Sequence, residues 1–98
     1  MSVRHIVTFT VPEGPEKPAQ LRRAKEWLLT LPDRIPGVLS FEVGLNEFYP
    51  AANWDLAIDA SFPDFAALEA YNSHPAHVEY LAWWKTVHNG RAAVDWET

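Results

Sequence analysis

Four histidines, the tyrosine just ahead of two of them, and scattered acids make up the reactive inventory of this chain. The absence of cysteine removes thiolate nucleophiles, disulfides and cysteine-based zinc sites together. No serine sits in a nucleophile elbow, and neither a glycine-rich phosphate loop nor His-Glu-x-x-His is present. What remains is proton transfer. Imidazole titrates near pH ~6.5, and a phenol can orient it or donate to a developing oxyanion.

His5 is the polar member of a row that otherwise reads Val3, Val7, Phe9 and Val11, so its ring points into an apolar layer. Taken alone, that position suits a satisfied core histidine better than a functional one. His77 opens the stripe His77, Leu81, Trp84, His88, spaced i, i+4, i+7 and i+11, which again aims imidazole inward. Tyr71 precedes His77 by six residues across Pro75 and can fold toward it. His77, Tyr71 and His5 are therefore the candidate catalytic residues. Val7, Phe9, Leu28, Ile58, Leu81 and Trp84 are the candidate ligand-binding residues around them. Trp84 also reads as core, and Trp83 as pocket rim or subunit contact. His74 and His77 form His-x-x-His, compatible in spacing with a metal, but no nearby side chain completes a ligand set. No metal and no cofactor are expected. His88, beside Asn89-Gly90, reads as a helix-end cation favoured by the dipole.

The elements that must position these groups follow from periodicity. Val3 to Val11 is β-branched and alternating, a strand closed by the turn Pro12-Glu13-Gly14-Pro15. Leu21, Ala24, Leu28 and Leu31 give one stripe of a helix from about Pro18, which Pro32 is expected to end. Val38 to Leu45 and Trp54 to Phe62 read as strands joined by the irregular loop 46–53. Pro63-Asp64 start a second helix carrying Phe65, Leu68 and Tyr71 on one face, and His74-Pro75 breaks or kinks it. Arg91 to Trp96 is the last strand. The order β-α-β-β-α-β is the split βαβ of ferredoxin-like α+β folds: an antiparallel sheet with both helices on one face. Yet Ile6 opposes Val7, and Ala92 and Val94 flank Ala93, so the sheet is apolar on both faces. The second face is expected to meet its own copy about a two-fold axis, making a homodimer.

Length and composition agree. Ninety-eight residues and 11.1 kDa allow one domain, 1–98. A chain of that mass buries roughly 65% of its extended surface. An apolar share of 48%, with five Trp, five Phe and three Tyr, exceeds what so small a monomer hides, so a pocket or a partner is expected. A net charge of −5 argues against nucleic-acid binding, since the basic run Arg22-Arg23-x-Lys25 is followed at once by Glu26. No apolar run approaches the ~20 residues of a membrane span. The start lacks a signal-peptide pattern and cysteine is missing, both of which suit the cytoplasm.

Several fragments together resemble one family. They are Val3-Arg4-His5-Ile6-Val7, Ile35-Pro36-Gly37-Val38 with Phe41-Glu42-Val43-Gly44, and Trp54-Asp55-Leu56-Ala57. With them go Ala70-Tyr71, His74-Pro75-Ala76-His77-Val78 and Val94-Asp95-Trp96. In this order, from Val3 to Glu97, they resemble the stress-responsive A/B barrel (Dabb) family; His-Pro-x-His after Tyr is the most specific piece. The resemblance implies a ferredoxin-like protomer whose sheets pair into a dimeric α+β barrel. A plant polyketide cyclase of that family, olivetolic acid cyclase, performs an aldol condensation with a Tyr–His dyad and a first-strand His in its pocket. By that analogy His77 removes a proton next to a carbonyl, Tyr71 orients the imidazole and His5 polarises an oxygen. The cyclase has a further strand-three His where this chain has Leu56, so its substrate does not transfer. Two alternatives belong to other classes: a non-catalytic binder of a small apolar or aromatic ligand or stress-response protein, and a haem-degrading monooxygenase-like barrel.

Overall fold

The computed structural model describes residues 1–98. Its elements are β1 (Val3–Thr10), α1 (Lys17–Arg34), β2 (Ser40–Leu45), β3 (Leu56–Phe62), α2 (Phe65–Ser73), α3 (Pro75–Trp84) and β4 (Gly90–Glu97). The four strands form one antiparallel sheet in the order β2-β3-β1-β4. That is the ferredoxin-like arrangement. β1 is central and strictly alternating: Val3, His5, Val7 and Phe9 are buried beneath the helices, while Arg4, Ile6, Thr8 and Thr10 are half-buried on the other face. β3 repeats the pattern with Leu56, Ile58, Ala60 and Phe62 buried. A two-residue side-chain period with one face covered locks the register, because a slip of one residue would turn His5 to the wrong side.

α1 lays Ala24, Leu28 and Leu31 against the sheet, all fully buried. Pro32 does not end it; the helix runs on to Arg34. Proline removes only its own amide, and the Ile35 N–H still bonds the Leu31 carbonyl at 2.9 Å. Burial of Leu31 and Ile35 on either side holds the extra turn in place. Asp55 ties the start of α1 to the end of β1, accepting the Val11 N–H at 2.8 Å and pairing with Lys17 at 3.0 Å.

β3 begins at Leu56 rather than Trp54, because the Asp55 amide is drawn to the Phe9 carbonyl at 2.8 Å and Trp54 stays 40% exposed. β2 begins at Ser40, and Leu39 lies outside the core at 61% exposed. Pro63 lies outside α2: Asp64 is the cap, its carboxylate accepting the Ala67 N–H at 2.8 Å. Leu68 and Tyr71 of that helix are buried, whereas Phe65, at its first position, remains exposed.

His74-Pro75 separates α2 from α3. His74 is extended (φ −62°, ψ 138°), as the residue before proline prefers, and its Nδ1 accepts the Ala76 N–H at 3.0 Å. Pro75 then occupies the first turn of α3, where its missing amide costs nothing. No helix is long and apolar enough to cross a membrane.

Replacing Asp64 by Ala should lower the unfolding free energy by about 1 kcal/mol, the usual worth of an N-cap. A urea titration of Asp64→Ala measures it, and an unchanged midpoint would show that α2 is held by packing alone.

Candidate functional site

One cavity of about 280 Å³ opens between the helix-facing side of the sheet and the three helices. β1 supplies His5, Val7 and Phe9, β3 supplies Ile58, and α1 supplies Leu28. Tyr71 and Asn72 come from the end of α2, and His77, Tyr80 and Leu81 from α3. His88 and Arg91 complete the wall. The α2–α3 break is what turns Tyr71 and His77 toward the same space. Their rings pack with centroids 4.4 Å apart.

Each imidazole on the wall has one nitrogen engaged. His5 Nδ1 bonds the Asp95 carboxylate, directly across the β1–β4 ladder. His77 Nδ1 lies 3.1 Å from the Asn72 carbonyl, and His88 Nδ1 lies 2.8 Å from the Trp84 carbonyl. Carbonyl and carboxylate oxygens accept, so in all three rings Nδ1–H donates. For neutral His77 the remaining nitrogen, Nε2, therefore carries a lone pair.

His77 is 9% exposed. Burial pushes its pKa below the usual 6.5; the Asn72 carbonyl works the other way, and the charge of His5 adds to the lowering. His77 is thus neutral at pH 7. Burial pushes the Tyr71 and Tyr80 phenols upward, so both stay protonated donors. The contact between Tyr71 and His77 is ring on ring, and the nitrogen that sets the imidazole's tautomer is bonded to the Asn72 backbone. The Asn72 carbonyl thus fixes the tautomer, and Tyr71 packs on the ring.

His5, Val7, Phe9, Leu28, Ile58, Tyr71, His77 and Leu81 all reach the cavity. Trp84 does not. It lies fully buried behind the wall, with Phe9 at 5.3 Å, Tyr80 at 6.0 Å and His88 at 5.2 Å between ring centroids. Those neighbours cover its faces and leave none for a ligand. Trp83 stacks on Trp27 at 5.6 Å, under the Arg23 guanidinium, away from the cavity.

Asn72, Tyr80, His88 and Arg91 also reach the cavity without having been singled out from the sequence as lining residues. His88 and Tyr80 had a signal, since one continues the His77 stripe and the other follows His77 by three residues. Arg91 and the His5 partner Asp95 had none, because strand register across 90 residues decides their place. His74 is spent as the cap of α3, and no group of three metal-ligating side chains is assembled. A broader depression of about 570 Å³ lies on the opposite sheet face around Thr8, Asn46, Asn53 and Trp54, and it contains no imidazole.

The model of the stress-responsive A/B barrel domain matches residues 3–98. The chain belongs to that family. Among solved members of the fold, a dimeric protein of unknown function from Bacteroides fragilis is 32% identical, with a TM-score of 0.90 over 99% of this chain and 96% of that one. A dimeric ferredoxin-like protein from Thermobifida fusca is 29% identical, TM-score 0.81, covering 100% and 92%. A Dabb family protein from Mesorhizobium loti is also 29% identical, TM-score 0.75, covering 99% and 96%. No curated protein matches the chain. Membership of this A/B barrel family accounts for the sheet and the helices that cover one of its faces, while the chemistry rests on the side chains themselves.

The lowered His77 pKa links the site to stability. Above about pH 6.5 the ring is neutral in folded and unfolded chains alike. As pH falls below that value the unfolded chain takes up the proton first, so stability declines until pH reaches the folded pKa. Urea unfolding of the wild type at pH 7.5 and 5.5, set against His77→Gln, should show the steeper loss in the wild type. Equal slopes would place His77 in solvent-like surroundings.

Proposed function

We propose that this cavity binds a small, largely apolar carbonyl compound and transfers a proton at the carbon beside the carbonyl, as in an aldol-type cyclisation. The observation that carries the reading is the His77 Nδ1–H bond to the Asn72 carbonyl in a desolvated setting, which leaves Nε2 as a neutral base at pH 7. His77 Nε2 takes the α-proton, and the electron pair of the C–H bond moves onto the carbonyl oxygen as an enolate. The protonated phenol of Tyr71 supplies a donor for that oxygen, and His5 lies on the same wall to polarise it. In a condensation the α-carbon then bonds a second carbonyl carbon of the same molecule. The oxygen of that carbonyl takes back the proton held by His77, so no redox partner is required.

His5 differs from His77 in role because its partner is a carboxylate. Asp95, on the neighbouring strand, holds the ring through Nδ1, whereas a helix-end carbonyl holds His77. Asn72 acts as a positioning residue through its backbone, which explains why side-chain type at 72 carries no sequence signal.

The test is exchange of the α-protons of phenylacetone in D₂O, followed by proton NMR. The wild type should accelerate exchange over buffer. His77→Gln should lose about 10²–10⁴-fold of that rate, the range of a general base. Tyr71→Phe should lose a smaller factor without changing the unfolding midpoint by more than a hydroxyl is worth. A wild type no faster than buffer overturns acid–base chemistry and leaves a ligand-binding protein.

The assembly belongs to the same proposal: a homodimer joined through the open sheet faces. Ile6, Ala92, Val94 and Trp96 share that face, and Val94 and Trp96 are 63% and 44% exposed in the protomer. The bidentate Arg4–Asp59 pair, at 2.6 and 2.7 Å, leaves its charges already matched when the face is covered. The dimeric relatives support this reading. Sedimentation at low micromolar concentration should give about 22 kDa, twice the 11.1 kDa chain. Val94→Asp should shift it to the single chain while keeping the helical signal; a wild type at one chain mass overturns the dimer.

A further inference from the structure

The charge of the cavity wall runs against that of the chain. Thirteen Asp and Glu outnumber eight Lys and Arg overall, yet none of the thirteen lines the cavity. The wall holds one permanent charge, the guanidinium of Arg91, together with three imidazoles. Arg91 is exposed at the start of β4, across the ladder from Phe9, and takes part in no salt bridge within the protomer. The nearest acid on its own face of β4 is Asp95, which is committed to His5. Ala93, between them on that face, brings no side chain beyond a methyl group to close the gap. A second donor also lacks a partner: the hydroxyl of Tyr80, a lining residue only 1% exposed, is buried and makes no hydrogen bond. A buried donor left unpaired costs free energy that a ligand oxygen recovers.

We infer that the cavity selects a carboxylate-bearing substrate, with Arg91 binding the carboxylate at the mouth while the rest of the molecule, its carbonyl included, enters toward Tyr80 and His77. The inference rests on the proposed ligand site and names the class of compound it takes. A planar guanidinium with no competing acid matches the two oxygens of a carboxylate in a bidentate pair. A phosphate monoester, carrying nearly two charges and three oxygens, finds only one permanent cation here. The volume of about 280 Å³ lies just below the ~300–1,000 Å³ of typical ligand cavities and sets the size: a single ring or short chain, not a large acyl carrier.

The experiment compares phenylacetate, its uncharged isostere phenylacetamide, and phenyl phosphate by titration calorimetry at pH 7.5. The wild type should bind phenylacetate at least about tenfold more tightly than the amide, the scale of one charge-assisted hydrogen bond. Arg91→Gln should remove that preference and leave amide affinity within about twofold, and Arg91→Lys should restore part of it. Equal affinity for acid and amide in the wild type, a preference that survives Arg91→Gln, or tighter binding of phenyl phosphate than of phenylacetate would each overturn the assignment. The two readings fail separately. A protein that exchanges the ketone's protons but ignores charge keeps the acid–base reading and loses this one. One that prefers the acid without exchanging protons does the reverse.

Discussion

A buried imidazole must have its polar nitrogens satisfied, and the organisation of this site follows from how that is done. His5, His77 and His88 each give Nδ1–H to an oxygen fixed by the fold: a carboxylate on the neighbouring strand, a carbonyl at the end of α2, a carbonyl at the end of α3. Each bond selects a tautomer, and each leaves Nε2 as the nitrogen not engaged by the protein. If the Asn72 carbonyl were taken into a continuous α2–α3 helix, it would be bonded to the amide four residues on and lost to His77. The extended conformation at His74 is therefore a condition of the site, and Pro75 imposes it.

The same wall is unusual in being aromatic without being rigidly apolar. Tyr71, His77 and Tyr80 follow one another at 4.4 and 6.5 Å between centroids, and Trp84 backs Tyr80 and His88 from behind. Large flat rings hold a cavity open because they cannot collapse into it without leaving their rotamers. The indole N–H of Trp84 and the hydroxyl of Tyr80 are buried without partners. Of the two, only Tyr80 belongs to the cavity wall. The apolar excess of the composition is thus divided among a helix–sheet core, this cavity and the open sheet face.

Much of this was legible beforehand. The alternation of β1 and β3 put His5 and Ile58 on the helix side, and the 3.6-residue stripes put Leu28, His77 and Leu81 there too. At Trp84 the stripe points inward as expected, and of its two readings core packing is the one realised, with Phe9, Tyr80 and His88 around the ring. The expected stop at Pro32 failed, because Leu31 and Ile35, buried on either side, outweigh the loss of one amide. The hydrogen bond that fixes the His77 tautomer comes from a backbone carbonyl, a kind of group that residue type does not announce.

By itself the sequence determined the order of elements, the buried face of each and the break before Pro75, since these depend on local sterics and on periods of two and 3.6. Only the tertiary structure decided which distant groups share the cavity. Asp95 meets His5, and Arg91 meets the mouth, through a strand pairing that spans nearly the whole chain. The pKa of His77 and the missing acids on the wall have the same origin. They depend on what surrounds a group in space, and desolvation and Coulomb energy act through distance rather than along the chain.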